Sequence, residues 1–303
     1  SGDKAVVDFK TVAEDVYRYP GKLREITQDD YPLWYYFRWE LPKNKELLNG
    51  DFSGGLKHWV KRFVYQEDAH PGNVCEVKDA PEKSGSKALY LYSAKREFDT
   101  AGQDRLAQTL NRVAQVVDLP PGSFPVLSLD FMPDKEHFDP ATKNGIYIWL
   151  EAYEKSTKRV NITYSAGFHY WNLERNYSQH KQVHPVRMEI LAEKGKWHSL
   201  KLNPVKDFAE NTEQKHTDFR NLDRFIVNLG VWTINDGYRE RAGAWFSDLR
   251  LAFLENYSHT TSLMNGHPVP GKDDRFMVWG GADHVAGEHI TERADMNWYG
   301  KNR

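Results

Sequence analysis

Rings and a carboxylate alternate with aliphatic residues in the stretch from residue 145 to residue 153. The side chains able to do chemistry are those of Tyr147, Trp149, Glu151 and Tyr153. Successive side chains of a β-strand point to opposite faces, so the pattern predicts a strand with one aliphatic face and one aromatic, acidic face. Flat rings offer apolar area to the C–H face of a sugar, and a carboxylate accepts hydrogen bonds from its hydroxyls. The stretch therefore predicts one strand of a sugar-binding surface.

Two neighbouring predicted strands add polar and aromatic side chains to that surface. If aliphatic parity marks the buried face, one carboxylate, one amide and a second tryptophan point outward over residues 125–131 and 225–232. The predicted ligand-binding residues are Asp130, Tyr147, Trp149, Glu151, Asn228 and Trp232. They predict a groove, open to solvent, in which rings stack on an oligosaccharide and the polar groups bind its hydroxyls. The alternative is that Trp149 and Trp232 lie under inserted loops as a second small core.

The sequence leaves two catalytic alternatives open. A glycosidase places two carboxyl groups roughly 5–10 Å apart across the scissile bond, and Asp130 and Glu151 on neighbouring strands meet the wider of the known spacings. A lyase uses a His or Tyr base beside a charge-neutralising group. Gln182-Val-His184 resembles a motif of alginate-lyase jelly rolls, although their terminal Tyr-x-Lys-x-Gly-x-Tyr-x-Gln strand is missing here. The lyase candidates are His169, Tyr170, His184 and Arg187. Because the chain lacks both that lyase strand and a Glu-x-Asp-x-x-Glu strand like those of the jelly-roll glucanases, we expect a chain that binds rather than one that catalyses.

Composition excludes several other functions. The 303-residue chain has a formal net charge of -2, with Lys and Arg scattered among acids, so we expect no nucleic-acid partner. No apolar run reaches the roughly 18–20 residues that a membrane-spanning helix needs, so we expect no direct membrane insertion. A single cysteine, Cys75, excludes an internal disulfide framework. The aromatic content of 14% is high, and it suits both ring-filled cores and ligand platforms.

Seven short sequence segments occur in the same order as the strands of a known type of protein module. The first runs from Asn49-Gly-Asp-Phe52 through Gly54 and Gly55 to Trp59, a tight turn between two rings that plug one end of a sandwich. The other six lie at residues 84–92, 115–122, 124–131, 195–202, 225–232 and 244–253. The series resembles carbohydrate-binding modules of the cellulose- and xylan-binding type, which are galactose-binding-like β-sandwiches. The resemblance implies an all-β jelly-roll fold and non-catalytic binding of a polysaccharide or oligosaccharide.

The chain is predicted to have three parts. Residues 1–45 form an N-terminal helix and aromatic arm, residues 46–255 the module-like sandwich, and residues 256–303 an irregular C-terminal extension or linker. Helical spacing within residues 99–116 predicts a short helix in one insertion. We expect an extracytoplasmic chain (secreted, periplasmic or at the cell surface) that is one part of a larger multidomain protein. A structural or protein-interaction module, with the aromatic surface holding a protein partner, is the remaining alternative.

The resemblance also implies a structural Ca²⁺ at the edge of the sandwich. Modules of this type often hold the ion with the Glu after the first Phe and an Asp of the last strand. Asp248 matches the Asp, whereas Ser53 stands where the Glu would be, and Asp51 is the nearest substitute. The predicted metal ligands are therefore Asp51 and Asp248. The alternative for Asp248 is a surface carboxylate that bonds to nearby loop amides.

Overall fold

The computed structural model describes residues 43–64, 73–94, 107–139, 144–155, 157–167, 186–212, 218–235 and 241–269. The strands in these ranges are β1 (Lys43–Asn44), β2 (Val60–Val64), β3 (Val74–Asp79), β4 (Lys87–Ala94), β5 (Ala107–Asp118), β6 (Phe124–Pro133), β7 (Asn144–Glu154), β8 (Thr157–Gly167), β9 (Val186–Glu189), β10 (His198–Leu202), β11 (Arg224–Asn235), β12 (Arg241–Leu254), β13 (Leu263–Met264) and β14 (His267–Pro268). One α-helix, α1 (Pro204–Asn211), and one 3-10 turn, Tyr257–His259, complete the described elements. Most of the predicted N-terminal arm lies outside these ranges.

The strands form two seven-stranded sheets. Sheet A has the order β1-β5-β11-β7-β8-β9, and β2 also pairs with β5. Sheet B has the order β14-β13-β10-β6-β12-β4-β3. Within the described ranges only β1–β5 and β8–β9 are parallel pairs. From β4 to β7 and from β9 to β12 the chain changes sheet at every step, as in a jelly roll. The predicted all-β jelly-roll sandwich is confirmed.

The core lies between the two sheets and follows the predicted parity. The inner residues of β7 are Ile146, Ile148, Leu150 and Ala152, all of them buried in one cluster with the inner residues of β6 and β11. Fully burying an aliphatic side chain of this size stabilises a fold by roughly 1.5–3 kcal/mol. Because one face of each strand is committed to this core, a slip by one residue would expose the whole apolar set, so the register of the outer face is fixed as well.

The opening motif closes one end of the sandwich. The rings of Phe52 and Trp59 lie 5.5 Å apart between centroids, and Trp59 Nε1 donates to the Asn49 carbonyl at 3.1 Å. Asn49 adopts φ 52°, and its side chain accepts a hydrogen bond from the Gly54 amide at 2.9 Å. Gly50 lies so close to β12 that a Cβ would fall 2.1 Å from the Leu249 carbonyl oxygen. The motif therefore needs asparagine and glycine at these positions.

Two elements differ from what sequence periodicity predicts. Residues 107–118, which overlap the predicted helix over 99–116, belong to β5. The described α-helix is α1 instead, with Asn203 at its N-cap accepting from the Lys206 amide at 3.2 Å. No helix in the described parts of the chain is long and apolar enough to cross a membrane.

A buried carboxylate fixes α1 to the sandwich. Asp207 accepts short hydrogen bonds from the hydroxyl of Tyr164 on β8 and from that of Ser262. Burial raises the pKa of Asp207 because the charged form loses its hydration, although both hydroxyl bonds oppose the shift. The Asn203 side chain adds donor bonds to the carbonyls of Tyr257 and Thr260, at 2.7 and 2.8 Å. The segment after β12 is thus tied to α1, and its strand β13 pairs with β10 in sheet B.

Candidate functional site

Five of the six predicted ligand-binding residues lie on one surface, the outer face of sheet A. They are Tyr147, Trp149, Glu151, Asn228 and Trp232. Antiparallel register places Trp149 between Asn228 on β11 and Thr163 on β8, and places Tyr147 opposite Gly230. The same face also carries Arg112, Lys158, Asn161, Thr163 and Ser165, which sequence reasoning did not select, and Arg187, which was selected only as a lyase candidate.

Trp149 is the centre of this face. Its Nε1 donates to Asn161 Oδ1 at 2.7 Å, and its backbone carbonyl accepts from Asn228 Nδ2 at 3.1 Å. The guanidinium carbon of Arg112 and the Nζ of Lys158 lie 5.1 and 5.2 Å from the ring centroid. Cations at this distance are attracted to the ring face by its quadrupole. The indole is therefore held in place by an amide and two cations that come from different strands.

A buried ion pair lies next to the ring. Lys158 Nζ contacts the carboxylate of Glu151, and both side chains are almost completely buried. Tyr153 donates its hydroxyl to Glu151 Oε1 at 3.2 Å. Taking two charges out of water costs free energy that only close, well-bonded geometry returns. The Glu151–Lys158 pair therefore places a carboxylate and an ammonium next to the Trp149 ring.

Gly230 makes room for the Tyr147 ring. A Cβ built on Gly230 would fall 2.1 Å from Tyr147 Cζ and 2.2 Å from its hydroxyl oxygen. The tyrosine therefore lies across the backbone of β11, which only a glycine permits at this position. The alternation of the strands predicts which side Tyr147 takes, but this close approach became visible only with the partner strand in place.

The predicted open groove is not what the structure shows. Trp149 is 4% exposed, Trp232 is 2% exposed and Tyr147 is 8% exposed. Parity predicts the side of the sheet on which these rings lie, but it carries no information on what covers that side. Their role in ligand binding stays a prediction.

Asp130 does not join the other five residues, which corrects its predicted position. It lies on β6 in sheet B and points to the outer face of that sheet, where it bonds Lys83 and Ser199. Glu151 points out of sheet A, so the sandwich separates the two carboxylates. Asp130 and Glu151 therefore cannot face each other across a scissile bond, and the proposed glycosidase pair is wrong. Strands β6 and β7 are neighbours in sequence, but the chain changes sheet between them.

The lyase candidates fall mostly outside the described residues. His169, Tyr170 and His184 lie outside the ranges that the structure describes. Arg187 lies on β9 beside Thr163 on the outer face of sheet A, and its Nε donates to Ser165 Oγ at 3.1 Å. The lyase alternative stays a prediction.

The predicted calcium ligands are occupied by other partners. Asp51 Oδ1 accepts from the amide and the hydroxyl of Ser53 at 3.1 and 3.0 Å. Asp248 Oδ2 accepts from Lys83 Nζ at 3.0 Å. In the described parts of the chain no three His, Cys, Asp or Glu side chains come close enough to hold a metal ion. Because an ammonium already binds Asp248, the two predicted ligands do not offer Ca²⁺ the set of available oxygen atoms that it takes.

A second ring cluster, on the outer face of sheet B, was not selected from the sequence. Tyr90 lies 4.4 Å from Trp245 and 6.5 Å from Tyr92 between ring centroids, and Tyr92 meets His137 edge-on at 4.7 Å. Trp245 Nε1 donates to Asp134 Oδ2 at 3.3 Å. Burial and the nearby carboxylate of Asp134 raise the pKa of Tyr90. Alternation of tyrosine with buried leucine along β4 was the signal that would have found this cluster.

Comparison with known proteins gives similarity to solved structures alone. No family model and no curated protein matches the chain. TmCBM61, solved in complex with beta-1,4-galactotriose, is 13% identical with a TM-score of 0.33, and the match covers 69% of this chain and 98% of that module. A non-crystalline cellulose specific module, CBM28, is 14% identical at 0.35, covering 69% and 96%. The enzymatically active domain of Bacteriophage CBA120 tailspike protein 4 is 11% identical at 0.37, covering 69% of this chain and 21% of that one.

The similar structures thus include carbohydrate-binding modules, the class that the sequence motifs resemble. At these identities and TM-scores the likeness carries no conclusion about the ligand of this chain.

Proposed function

We propose that this chain recognises a polysaccharide or oligosaccharide through the outer face of sheet A. The observation that supports this best is the set of groups around Trp149: a carboxylate, two amides and two cations within a patch of rings. Rings stack on the C–H face of a sugar, and carboxylates and amides bind pairs of its hydroxyls. These groups come from β7 itself and from strands one or two places away from it in sheet A.

The polar character of this face favours ligand binding over a purely structural role. The inner face of β7 is wholly aliphatic, which is how a face that serves only stability is built. The outer face buries Glu151, Lys158 and Asn228 instead. Buried ions and amides lower stability unless each finds a partner, and departures from apolar packing concentrate at functional sites.

Burial sets a condition on this proposal. A glycan that stacks on Trp149 or Trp232 must first gain access to a ring that has little exposed area. Binding that requires such a change associates more slowly than docking to a preformed groove. We therefore expect a change in tryptophan fluorescence on binding, with an association rate below about 10⁵ per molar per second.

A glycan array tests the proposal. The wild-type chain should bind at least one polysaccharide, and Asn228→Ala should weaken that binding by about tenfold or more, because a lost buried hydrogen bond is worth about 1–2 kcal/mol. Circular dichroism and thermal unfolding of the variant establish that it is folded. Absence of any glycan ligand, or full binding by folded Asn228→Ala, contradicts the proposal.

A reducing-end assay on the array hits separates binding from catalysis. New reducing ends would replace the binding role with hydrolase activity. Unsaturated ends that absorb in the ultraviolet would replace it with lyase activity. Recognition of a polysaccharide also accords with an extracytoplasmic location and with a place in a larger multidomain protein, which we include in the proposal.

A further inference from the structure

One ammonium group on the outer face of sheet B has more partners than an ordinary surface lysine. Lys83 Nζ lies 2.5 Å from Asp130 Oδ2, 3.0 Å from Asp248 Oδ2 and 3.1 Å from Ser247 Oγ. It also lies 4.3 Å from the centroid of the Trp197 ring. The lysine side chain is 22% exposed, so the contacts are only partly open to water. Lys83 Nζ is thus surrounded by oxygen atoms of Asp130, Ser247 and Asp248 and by the Trp197 ring, and these residues form the Lys83 cage.

The cage joins segments that are far apart in sequence. Lys83 belongs to the turn between β3 and β4, whereas Asp130 lies on β6 and Asp248 on β12. Ser199 on β10 donates to the second oxygen of Asp130 at 2.7 Å. One cation therefore connects four strands or their loops across sheet B.

The backbone of β12 is bent to bring Asp248 to this cage. The pairing of β12 with β6 shifts register between Ser247 and Arg250, and Asp248 adopts φ 54°, a conformation that favours glycine. The next amide, that of Leu249, donates to the Gly50 carbonyl at 3.0 Å. The bulge therefore places the Asp248 carboxylate within hydrogen-bonding distance of the Lys83 ammonium.

We propose that the Lys83 ammonium takes the place of a structural cation in this fold, so that the chain is stable without calcium. The two carboxylates that a divalent ion would need already share a cation that is covalently part of the chain. A Ca²⁺ ion that entered the cage would meet the ammonium at contact distance and would be repelled. A lysine ammonium is cationic at neutral pH, and its hydrogen bonds to Asp130 and Asp248 hold it between the two carboxylates.

The same geometry predicts that removing the ammonium would let the cage bind calcium. Without the ammonium, the cage keeps two carboxylates and two hydroxyls, which are hard oxygen ligands of the kind that Ca²⁺ prefers. We therefore expect Lys83→Met to lose stability in a chelator and to recover it in calcium. The inference is independent of sugar binding, since the cage lies on sheet B and the proposed ligand face on sheet A.

Thermal unfolding in EGTA and in millimolar CaCl₂ tests the inference. The wild-type Tm should differ by less than about 1 °C between the two, while Lys83→Met in EGTA should fall by about 3 °C or more. Calcium should raise the Tm of Lys83→Met by about 3 °C or more, and Asp248→Asn in that background should abolish the rise. Lys83→Arg, which keeps the charge, should behave like the wild type.

Lys87→Met is the matched control, since Lys87 pairs with one exposed carboxylate, that of Asp79, at 2.6 Å. It should change the Tm by less than about 1 °C in either buffer, because exposed ion pairs contribute little. Calcium stabilisation of the wild type would overturn the inference. So would a Lys83→Met variant that matches Lys87→Met, or one that stays unfolded in calcium.

Discussion

The outer faces of the two sheets carry similar residue types in different environments. On sheet A, Trp149 lies among an ion pair, an amide and a guanidinium that are nearly all buried. On sheet B, Trp245 lies among tyrosines and is partly exposed, and the Lys83 ion pairs on the same face are also partly exposed. Charges on sheet A therefore interact in a low-dielectric setting, whereas those on sheet B are screened.

The difference tells which face is suited to which role. Buried polar groups held in fixed positions recognise a ligand specifically once it reaches them, but they lower the stability of the unliganded chain. Partly exposed ion pairs give modest stability at little cost in desolvation. Under the proposed function, sheet A recognises the ligand and the ion pairs of sheet B contribute stability, and the following changes test that division.

The largest effect is expected at the buried ion pair. Lys158→Met leaves the Glu151 carboxylate buried with its counter-charge removed, so the free energy of unfolding should fall by about 3–5 kcal/mol. The measurement is urea denaturation, and Lys87→Met on sheet B, with an expected loss of about 0–1 kcal/mol, is the control. Equal losses in the two variants would show that the sheets do not differ in this way.

The next largest effect is expected at Gly230. Gly230→Ala places a Cβ inside the Tyr147 ring and should cost about 2–3 kcal/mol, because the ring must leave its place over β11. In a Tyr147→Ala background the same change should cost much less, since the overlap is gone. Equal costs in both backgrounds, measured by urea denaturation, would place the strain elsewhere.

Asp207 is a buried carboxylate bound by two hydroxyls, whereas Glu151 is bound by an ammonium, so the stability that the two carboxylates contribute can be compared. Asp207→Ala should cost about 2 kcal/mol, because two buried hydroxyls lose their acceptor. Asp207→Asn keeps an acceptor oxygen and should cost less.

The pH dependence of Asp207 has a definite sign. Its folded-state pKa is raised, so its contribution to stability is fully present below the unfolded pKa of about 4 and is lost as pH rises through the folded pKa. The free energy of unfolding of the wild type, relative to Asp207→Asn, should therefore decrease from acid to neutral pH. A relative increase over that range would contradict the assigned shift.

The smallest effect is expected at the ring cluster of sheet B. Trp245→Phe loses one hydrogen bond to Asp134 at a half-buried site and should cost about 0.5–1 kcal/mol. A loss similar to that of Lys158→Met would mean that sheet B contributes as much buried polar energy as sheet A.

Sequence periodicity predicted the local features well and the non-local ones poorly. Alternation located β7 and sorted Trp149 from Leu150, because side-chain direction depends only on the strand itself. It could not assign Asp130 to the other sheet, since sheet membership depends on how the chain crosses between layers. The cage around Lys83 was equally hidden, because its partners lie 47 and 165 residues away.

Burial was the other property that alternation could not supply. An aromatic residue on the outer side of a strand has the same pattern whether that side meets water or another part of the chain. Trp149 and Trp245 both alternate with core residues, yet one is 4% exposed and the other is half-buried. Only the assembled sheets separate them.

The most direct test of the central claim is a calorimetric titration of one glycan from the array into two matched variants, Trp149→Phe and Trp245→Phe. Each keeps a ring and loses an indole N–H, one on each outer face. If sheet A binds the glycan, Trp149→Phe should weaken binding by about tenfold or more in Kd, while Trp245→Phe should leave the Kd unchanged. The opposite ranking would move recognition to sheet B and contradict the account.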